Sequence, residues 1–390
     1  MKKIALITFF KNNYGSILQC YATKHFVESM ECKCDVICDQ SLNNPSFFAR
    51  IKKIPSLIIK FLNPFFLKAY KEIRFGQKCI FLSSNSKKKM DDFLFNHLHV
   101  KKLSVAKKNT LLYDWFLAGS DQIWNVKTFF YPFYFLTFAP RAKRIALAPS
   151  FGISEIPKYN QKILRKALDG FDYISVREET GVNIVKKYSN AKVCRIADPT
   201  FIYDADEWRG FAKEGIVIPQ KYILVHFLNE PNEVALESMC WLSSQLNLDI
   251  VAIGYRYDSF NHLKRFAFKD GGPWDYVKMI DKAEYVITDS FHSSLFSINF
   301  NKRFFVFHRN YLASKQTSRI SDLLERFGIG NRLIADIEVL KNLYLENLPV
   351  SSRSILERER TTIRDYIQKS ISGQVPQCFM TEKNGKVTDD

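Results

Sequence analysis

The sequence predicts an α/β protein of two tandem halves, each a mainly parallel sheet wrapped by helices. Three observations predict it. Short apolar runs alternate with stretches of helical periodicity, as in βαβ units. The alternation pauses at "GIVIPQ" (215–220) and then restarts with the same rhythm. The chain has 390 residues, more than one core usually serves, so two domains are expected.

The first half opens with "KIALITFF" as a strand, a helix-like stretch from Ser16 to Met30, and "CDVIC" as a second strand. The runs "DWFLAGS", "RIALAPS", "DYISVRE" and "KVCRIADP" are further strands, and "EETGVNIVKKY" is helical. After the linker come "KYILVHFL" (strand), "EVALESMCWLSSQL" (helix), "DIVAIGY" (strand) and "GPWDYVKMIDKA" (helix). Then follow "EYVITDS" (strand), "SLFSINF" (helix) and "RFFVF" (strand). Two halves of the Rossmann type are thus expected at residues 1–217 and 218–350. "SRSILERERTTIRDYIQKSI" gives an amphipathic C-terminal helix at 351–372, and residues 373–390 a polar, mobile tail.

One segment, residues 46–74, breaks the alternation. It holds seven basic residues against one acid, interleaved with aromatic and aliphatic side chains. Lys60, Pro55 and Pro64 interrupt it, so it does not read as a transmembrane helix. It suits either an interfacial segment on an anionic membrane or a helical pair inserted into the first domain. The amino terminus does not read as a leader. Its apolar run, Ile4 to Phe10, is short, and Lys11, Asn12 and Asn13 follow without a small-residue cleavage site. A cytoplasmic protein is expected.

The net charge of +17 favours anionic partners: phosphorylated substrates, nucleic acid or an acidic membrane face. Among the eight cysteines, Cys20, Cys79, Cys194 and Cys240 lie in apolar patterns, as reduced buried thiols do. Cys32, Cys34 and Cys38 have no nearby His to complete a tetrahedral site, so no metal is expected. There is no GxGxxG after the first strand, no GxxxxGK[ST] and no nucleophile elbow, which disfavours NAD and P-loop ATP chemistry.

In parallel α/β sheets ligands bind beyond the carboxyl ends of the strands. Five polar clusters fall there. "FFKNNYGS" supplies Asn13, Tyr14 and Gly15, with a helix start behind them. "AGSDQIWN" supplies Ser120, Asp121, Gln122 and Asn125, and "APSFG" supplies Ser150. "SVRE" supplies Arg177 and Glu178; "TDSFHSS" supplies Asp289, Ser290, His292 and Ser293. Each has a plainer reading: turn and cap chemistry for Asn13 and Asp121, an ion pair for Arg177, a satisfied core histidine for His292. Five clusters in two halves that share a crevice favour one common site.

The strings "NNYGSILQCYA", "AGSDQIWN", "PSFG", "SVREETG", "ADPTF" and "VITDSFHSSLFSINFNKRF", in this order, resemble the polysaccharide pyruvyl transferase family. The resemblance covers about the first 330 residues. It implies a GT-B-like fold, two Rossmann-like domains facing across a cleft, with a C-terminal helix returning to the first. It implies transfer of pyruvate from phosphoenolpyruvate to a sugar of a surface polysaccharide or its lipid-linked precursor, with no cofactor. By position it makes His292, Arg177 and Asp121 the catalytic residues. The chain departs from the pattern at Ser293 and Ser294, where a Gly and a small residue are usual. It also departs at Ser290, where some relatives carry arginine; a second phosphate-binding cation, where needed, then comes from elsewhere.

The expected partners are phosphoenolpyruvate, a lipid-linked sugar acceptor and the inner face of an anionic membrane, without nucleic acid. A histidine can donate and accept protons near neutral pH. Asp289 is expected to orient it or to cap the following helix. The alternatives are a GT-B-type glycosyltransferase using a nucleotide sugar and a non-enzymatic basic membrane-binding protein.

Overall fold

The protein is described by a computed structural model over residues 1–39, 60–75, 82–103, 110–213, 216–309 and 317–380. The first half runs β1 (Lys3–Ile7), α1 (Tyr14–Ser29), β2 (Lys33–Asp39), α2 (Pro64–Phe75), α3 (Ser84–Phe93) and β3 (Lys101–Leu103). It continues through β4 (Trp115–Ala118), β5 (Arg144–Ala146), α4 (Lys158–Leu168), β6 (Tyr173–Val176), α5 (Glu179–Tyr188), β7 (Lys192–Arg195) and α6 (Ala205–Phe211). The second half runs β8 (Tyr222–His226), α7 (Glu233–Leu246), β9 (Asp249–Ile253), β10 (Phe266–Lys269), α8 (Pro273–Lys282) and β11 (Tyr285–Thr288). It ends with α9 (Phe291–Asn299), β12 (Arg303–Phe307), α10 (Thr317–Arg326), β13 (Leu333–Ile334), α11 (Ile337–Leu343) and the long α12 (Val350–Ser372).

The first sheet has the order β3-β2-β1-β4-β5-β6-β7 and the second β10-β9-β8-β11-β12-β13. Every named strand pair is parallel. Strands such as "YILVH" and "YVIT" are buried at every position, because helices cover both faces; this is why they read as unbroken apolar runs. The order reverses between β1 and β4 in one sheet and between β8 and β11 in the other. These are the crevices where doubly wound sheets bind ligands. The fold is α/β with two Rossmann-like domains, as the sequence predicts.

A single apolar core joins the halves. It runs from Ile4 and Leu6 of the first sheet to Leu224 and Val251 of the second, through Ile17, Tyr276 and Phe296. The long α12 returns to the first half, where Tyr366 donates to the Ala146 carbonyl at 2.7 Å and Arg364 to the Ile202 carbonyl at 3.0 Å. Ahead of β3, α3 bridges both halves: Lys89 pairs with Asp275 at 2.9 Å, and Ser83 donates to Asp270.

Two expectations are corrected. Cys194 is not a reduced thiol but forms a disulfide with Cys378, 184 residues away, and Cys240 is exposed. Residues 374–380, expected in the mobile tail, are held by that bridge and by Phe379 packing on Tyr173 and Tyr366. Of the basic segment, residues 46–59 lie outside the described residues. The rest forms α2 and its lead-in. Phe66 is fully buried against Phe129 and Tyr159, while Leu62 and Phe65 are each 77% exposed. No helix among the described residues is long and apolar enough to cross a membrane.

Candidate active site

The turn after β1 begins α1 with Asn13 as its cap, accepting from the Ser16 N–H at 3.2 Å. Ser16 donates to the Asp121 carboxylate, and Thr8 donates to the Ser120 carbonyl at 2.7 Å. Asp121 sits at a φ of 71°, a left-handed conformation that few residues other than Gly, Asn and Asp adopt. Burial pushes the Asp121 carboxyl up, but His292, Arg177, Ser16 and Arg319 outweigh it and hold the group below the usual carboxylate range.

From the end of β6, Arg177 reaches inward and is 3% exposed. Its Nη1 donates to Asp198 Oδ2 at 2.6 Å, and its guanidinium lies over the Phe291 ring at 4.3 Å. Its Nε and Nη2 have no hydrogen-bond partner among the described residues. Asp198 also accepts from the Ser120 hydroxyl at 2.9 Å and from the Thr200 N–H and hydroxyl at 3.0 Å. Burial alone would raise the Asp198 carboxyl; His292 and Arg177 reverse this and hold it far below the usual range.

The second half contributes the start of α9. Ser290 caps that helix, accepting from the Ser293 N–H at 3.4 Å. His292, 5% exposed, projects from the first turn with Nε2 3.7 Å from Asp198 Oδ2. Its ring lies directly on Gly15, where a Cβ would come within 2.0 Å of the imidazole Cγ. Only glycine lets the two helix starts approach so closely. Arg319 of α10 completes the cluster. It is 5% exposed and lies 5.6 Å from the Phe291 ring centre; with the Gln122 amide oriented oxygen-inward, it donates to that oxygen through Nη1 at 2.8 Å and through Nη2. Arg177, Asp198, Phe291 and Arg319 line a cavity of about 10 Å³.

The polysaccharide pyruvyl transferase family profile matches residues 13–311, well over half of the chain. The chain belongs to the polysaccharide pyruvyl transferase family. No curated protein matches it. Among solved structures it is similar to UDP-N-acetylglucosamine 2-epimerase from Rickettsia bellii, at 10% identity and a TM-score of 0.51 over 95% of this chain and 97% of that one. It is also similar to UDP-GlcNAc 2-epimerase from Methanocaldococcus jannaschii in complex with UDP-GlcNAc and UDP (12% identity, TM-score 0.49, 91% and 98% covered). Arabidopsis thaliana UGT89C1 follows at 10% identity and a TM-score of 0.46, with 95% and 96% covered. The Rickettsia likeness is one of fold, the GT-B-like arrangement of two Rossmann-like domains. As a pyruvyl transferase family member the chain is a transferase enzyme.

In this pyruvyl transferase family member, the structure brings Gly15, Ser120, Asp121, Gln122, Arg177 and His292 together. Others lie close by in supporting places. Tyr14 stacks on Tyr276 and donates to the Gly271 carbonyl at 2.8 Å. Asn125 accepts from the Lys127 N–H at 3.0 Å, as a turn residue does. Glu178 Oε1 accepts from the Ser150 hydroxyl and the Phe151 and Gly152 N–H groups, which fixes the "PSFG" loop. Ser293 bonds His226 Nδ1 at 2.8 Å and Tyr276 at 2.9 Å, beneath the site. Burial, with Arg309 and His292 nearby, lowers His226 to about 3, so it is neutral.

Asp289 neither orients His292 nor caps α9. It accepts from the Leu228 and Asn229 N–H groups at 2.6 and 3.1 Å and pairs with Arg309 at 3.2 Å. Sequence reasoning did not single out Asp198, Arg319 or His226. Asp198 carried a signal in the "ADPTF" string. His226 lies within a strand, and Arg319 lies in a helix whose pattern reads as an ordinary amphipathic surface.

Proposed function

We propose that the enzyme transfers pyruvate from phosphoenolpyruvate to two hydroxyls of one sugar, forming a cyclic ketal and releasing inorganic phosphate. The observation that carries this is the buried Arg177 beside His292: its Nε and Nη2 make no hydrogen bond among the described residues, with only Asp121 facing Nη2 at 3.9 Å. Such donors suit a phosphate or carboxylate.

The chemistry assigns roles. A proton adds to the methylene carbon of the donor, and the first sugar hydroxyl adds to the adjacent carbon and loses its proton. The second hydroxyl, losing its proton, displaces phosphate and closes the ring. His292 gives and takes protons. Asp121 and Asp198, both held ionised, stabilise positive charge as it develops. Arg177 neutralises the donor. The acceptor is a sugar on a lipid carrier, and the enzyme works as a peripheral protein at the cytoplasmic face of the membrane. The outward Leu62 and Phe65, with Lys68 and Lys71 exposed on α2, support that placement.

Phosphate release that needs both phosphoenolpyruvate and a glycan acceptor tests the reading. His292→Ala should lower turnover ~10²-fold or more while the protein stays folded. Turnover with a UDP-sugar and none with phosphoenolpyruvate would establish a nucleotide-sugar glycosyltransferase instead. Normal turnover in folded His292→Ala would remove the histidine from the mechanism.

A further inference from the structure

We propose that Arg319 and Arg177, one guanidinium from each half, clamp the two anionic groups of the donor between them; this rests on the phosphoenolpyruvate reading above. The two side chains share one platform. Both lie over Phe291, at 4.3 Å for Arg177 and 5.6 Å for Arg319, and both line the same cavity.

Their charge balance differs. Arg177 is paired with Asp198 at 2.6 Å. Arg319 has no carboxylate within 4.0 Å among the described residues, and its hydrogen-bond partner there is a neutral amide, Gln122. A buried cation without a counter-ion is costly and is usually retained for a ligand that supplies the missing charge. The neighbouring acids do not supply that partner. Asp121 takes Ser16 and lies 3.9 Å from Arg177, Asp322 pairs with Arg195 at 3.4 Å, and Asp289 takes Arg309. Glu178 holds the "PSFG" loop through Oε1, and its Oε2, which makes no hydrogen bond among the described residues, is not within 4.0 Å of Arg319. Burial, reinforced by Arg177 and Arg309, lowers Arg319 to about 9, so it stays charged at neutral pH.

Phosphoenolpyruvate carries a phosphate and a carboxylate on one small frame, and a guanidinium can take either in a forked hydrogen bond. The cavity of about 10 Å³ is water-sized, so the lining side chains or the halves themselves must move to admit the donor. Once admitted, a donor held by both arginines ties the halves together. Recognition and closure then become one event.

The plainer role for Arg319 is a strut that holds Gln122 and Phe291 in place. Calorimetric titration of the full chain with phosphoenolpyruvate separates the two, using wild type, Arg319→Gln and Arg319→Lys. The clamp predicts ~10- to 10²-fold weaker donor binding in Arg319→Gln, the size of a lost hydrogen bond to a charged group. It predicts a smaller loss in Arg319→Lys, which keeps the charge without the fork, and an unchanged KM for the glycan acceptor in both. Should Arg319→Gln fail to fold, Arg319→Lys carries the test: weakened donor binding supports the clamp. A folded Arg319 variant that melts at a lower temperature but binds donor as wild type does would overturn the clamp and leave the strut. Wild type that binds UDP but not phosphoenolpyruvate would overturn the donor reading itself, and the clamp with it.

Discussion

Beyond β7 in the first half, Asp198 accepts from Arg177, from the Ser120 hydroxyl and from the Thr200 N–H and hydroxyl, and faces His292. Beyond β11 in the second half, Asp289 accepts from two backbone N–H groups and pairs with Arg309. Both carboxylates are buried and both follow a parallel strand. Their proton affinities nevertheless move in opposite directions. Burial raises both groups; the cations around Asp198 overturn that, while Arg309 and the backbone donors around Asp289 do not. Strand-end position therefore does not set the chemistry of an aspartate. The donors and charges around it do, and for Asp198 one of the groups that lowers it, His292, comes from the other half.

Removing the two carboxylates should break the comparison most visibly. Asp198→Ala leaves Arg177 buried without a counter-ion and should cost about 3–5 kcal/mol of stability, as broken buried ion pairs do. Asp289→Ala leaves two backbone N–H groups unpaired and takes a carboxylate from Arg309, which keeps its bonds to the residue-289 carbonyl, but it also relieves a buried charge, so about 1–3 kcal/mol is expected. Urea unfolding of the two variants checks the order, and equal losses would mean that the two sites are alike.

The pH dependence sharpens the same contrast. The folded Asp198 carboxyl lies below its unfolded value of about 3.9. Its stabilisation is present above that pH and is lost as pH falls through the folded value. The folded Asp289 carboxyl lies above its unfolded value. Its contribution is best at low pH and declines as pH rises from the unfolded value through the folded one. Asp198→Asn should therefore cost more at pH 7 than at pH 3, and Asp289→Asn less at pH 7 than at pH 4. Denaturant melts at these pH values would show it; slopes of the same sign would refute the assignment.

What the sequence made legible follows from where the site sits. Parallel strands buried on both faces appear as apolar runs, so the polar residues that end them stand out. Asp121, Arg177 and His292 were visible for that reason. Strand ends alone did not tell which polar groups meet. Asp289 resembles an orienting acid in the string "TDSFH", yet Asp198, far earlier in the chain, is the one near the imidazole. Arg319 was hidden because a helical arginine turned into a domain cleft has the same local pattern as one turned to water. The Cys194–Cys378 bridge was hidden because its partners stand 184 residues apart and α12 must dock before they meet.

The halves differ also in their surfaces. The second half passes from β9 to β10 within 12 residues, Gly254 to Arg265, whereas the first inserts α2 and α3 between β2 and β3. The insertion sits on the loop that continues the site. Phe66 packs on Phe129, Lys60 approaches Asn160 at 3.4 Å, and Asn160 donates to the Val126 and Thr128 carbonyls. Lys60 is thus part of the packing, with its ammonium 5.8 Å from the Phe66 ring centre, while Lys68 and Lys71 are exposed. Near an anionic membrane each cation contributes about 1 kcal/mol, a contribution that salt screens. Leu62 and Phe65 would add a salt-insensitive part by entering the headgroup region. The protein should sediment with phosphatidylserine vesicles at low salt and less so as salt rises. Lys68→Gln with Lys71→Gln should weaken that binding ~10-fold or more, and Leu62→Ser with Phe65→Ser should remove what salt leaves. Turnover on a short water-soluble acceptor should stay unchanged in all four substitutions, because none of these side chains reaches the strand ends. Wild type that ignores anionic vesicles at low salt would make the insertion a packing element and erase this difference between the halves.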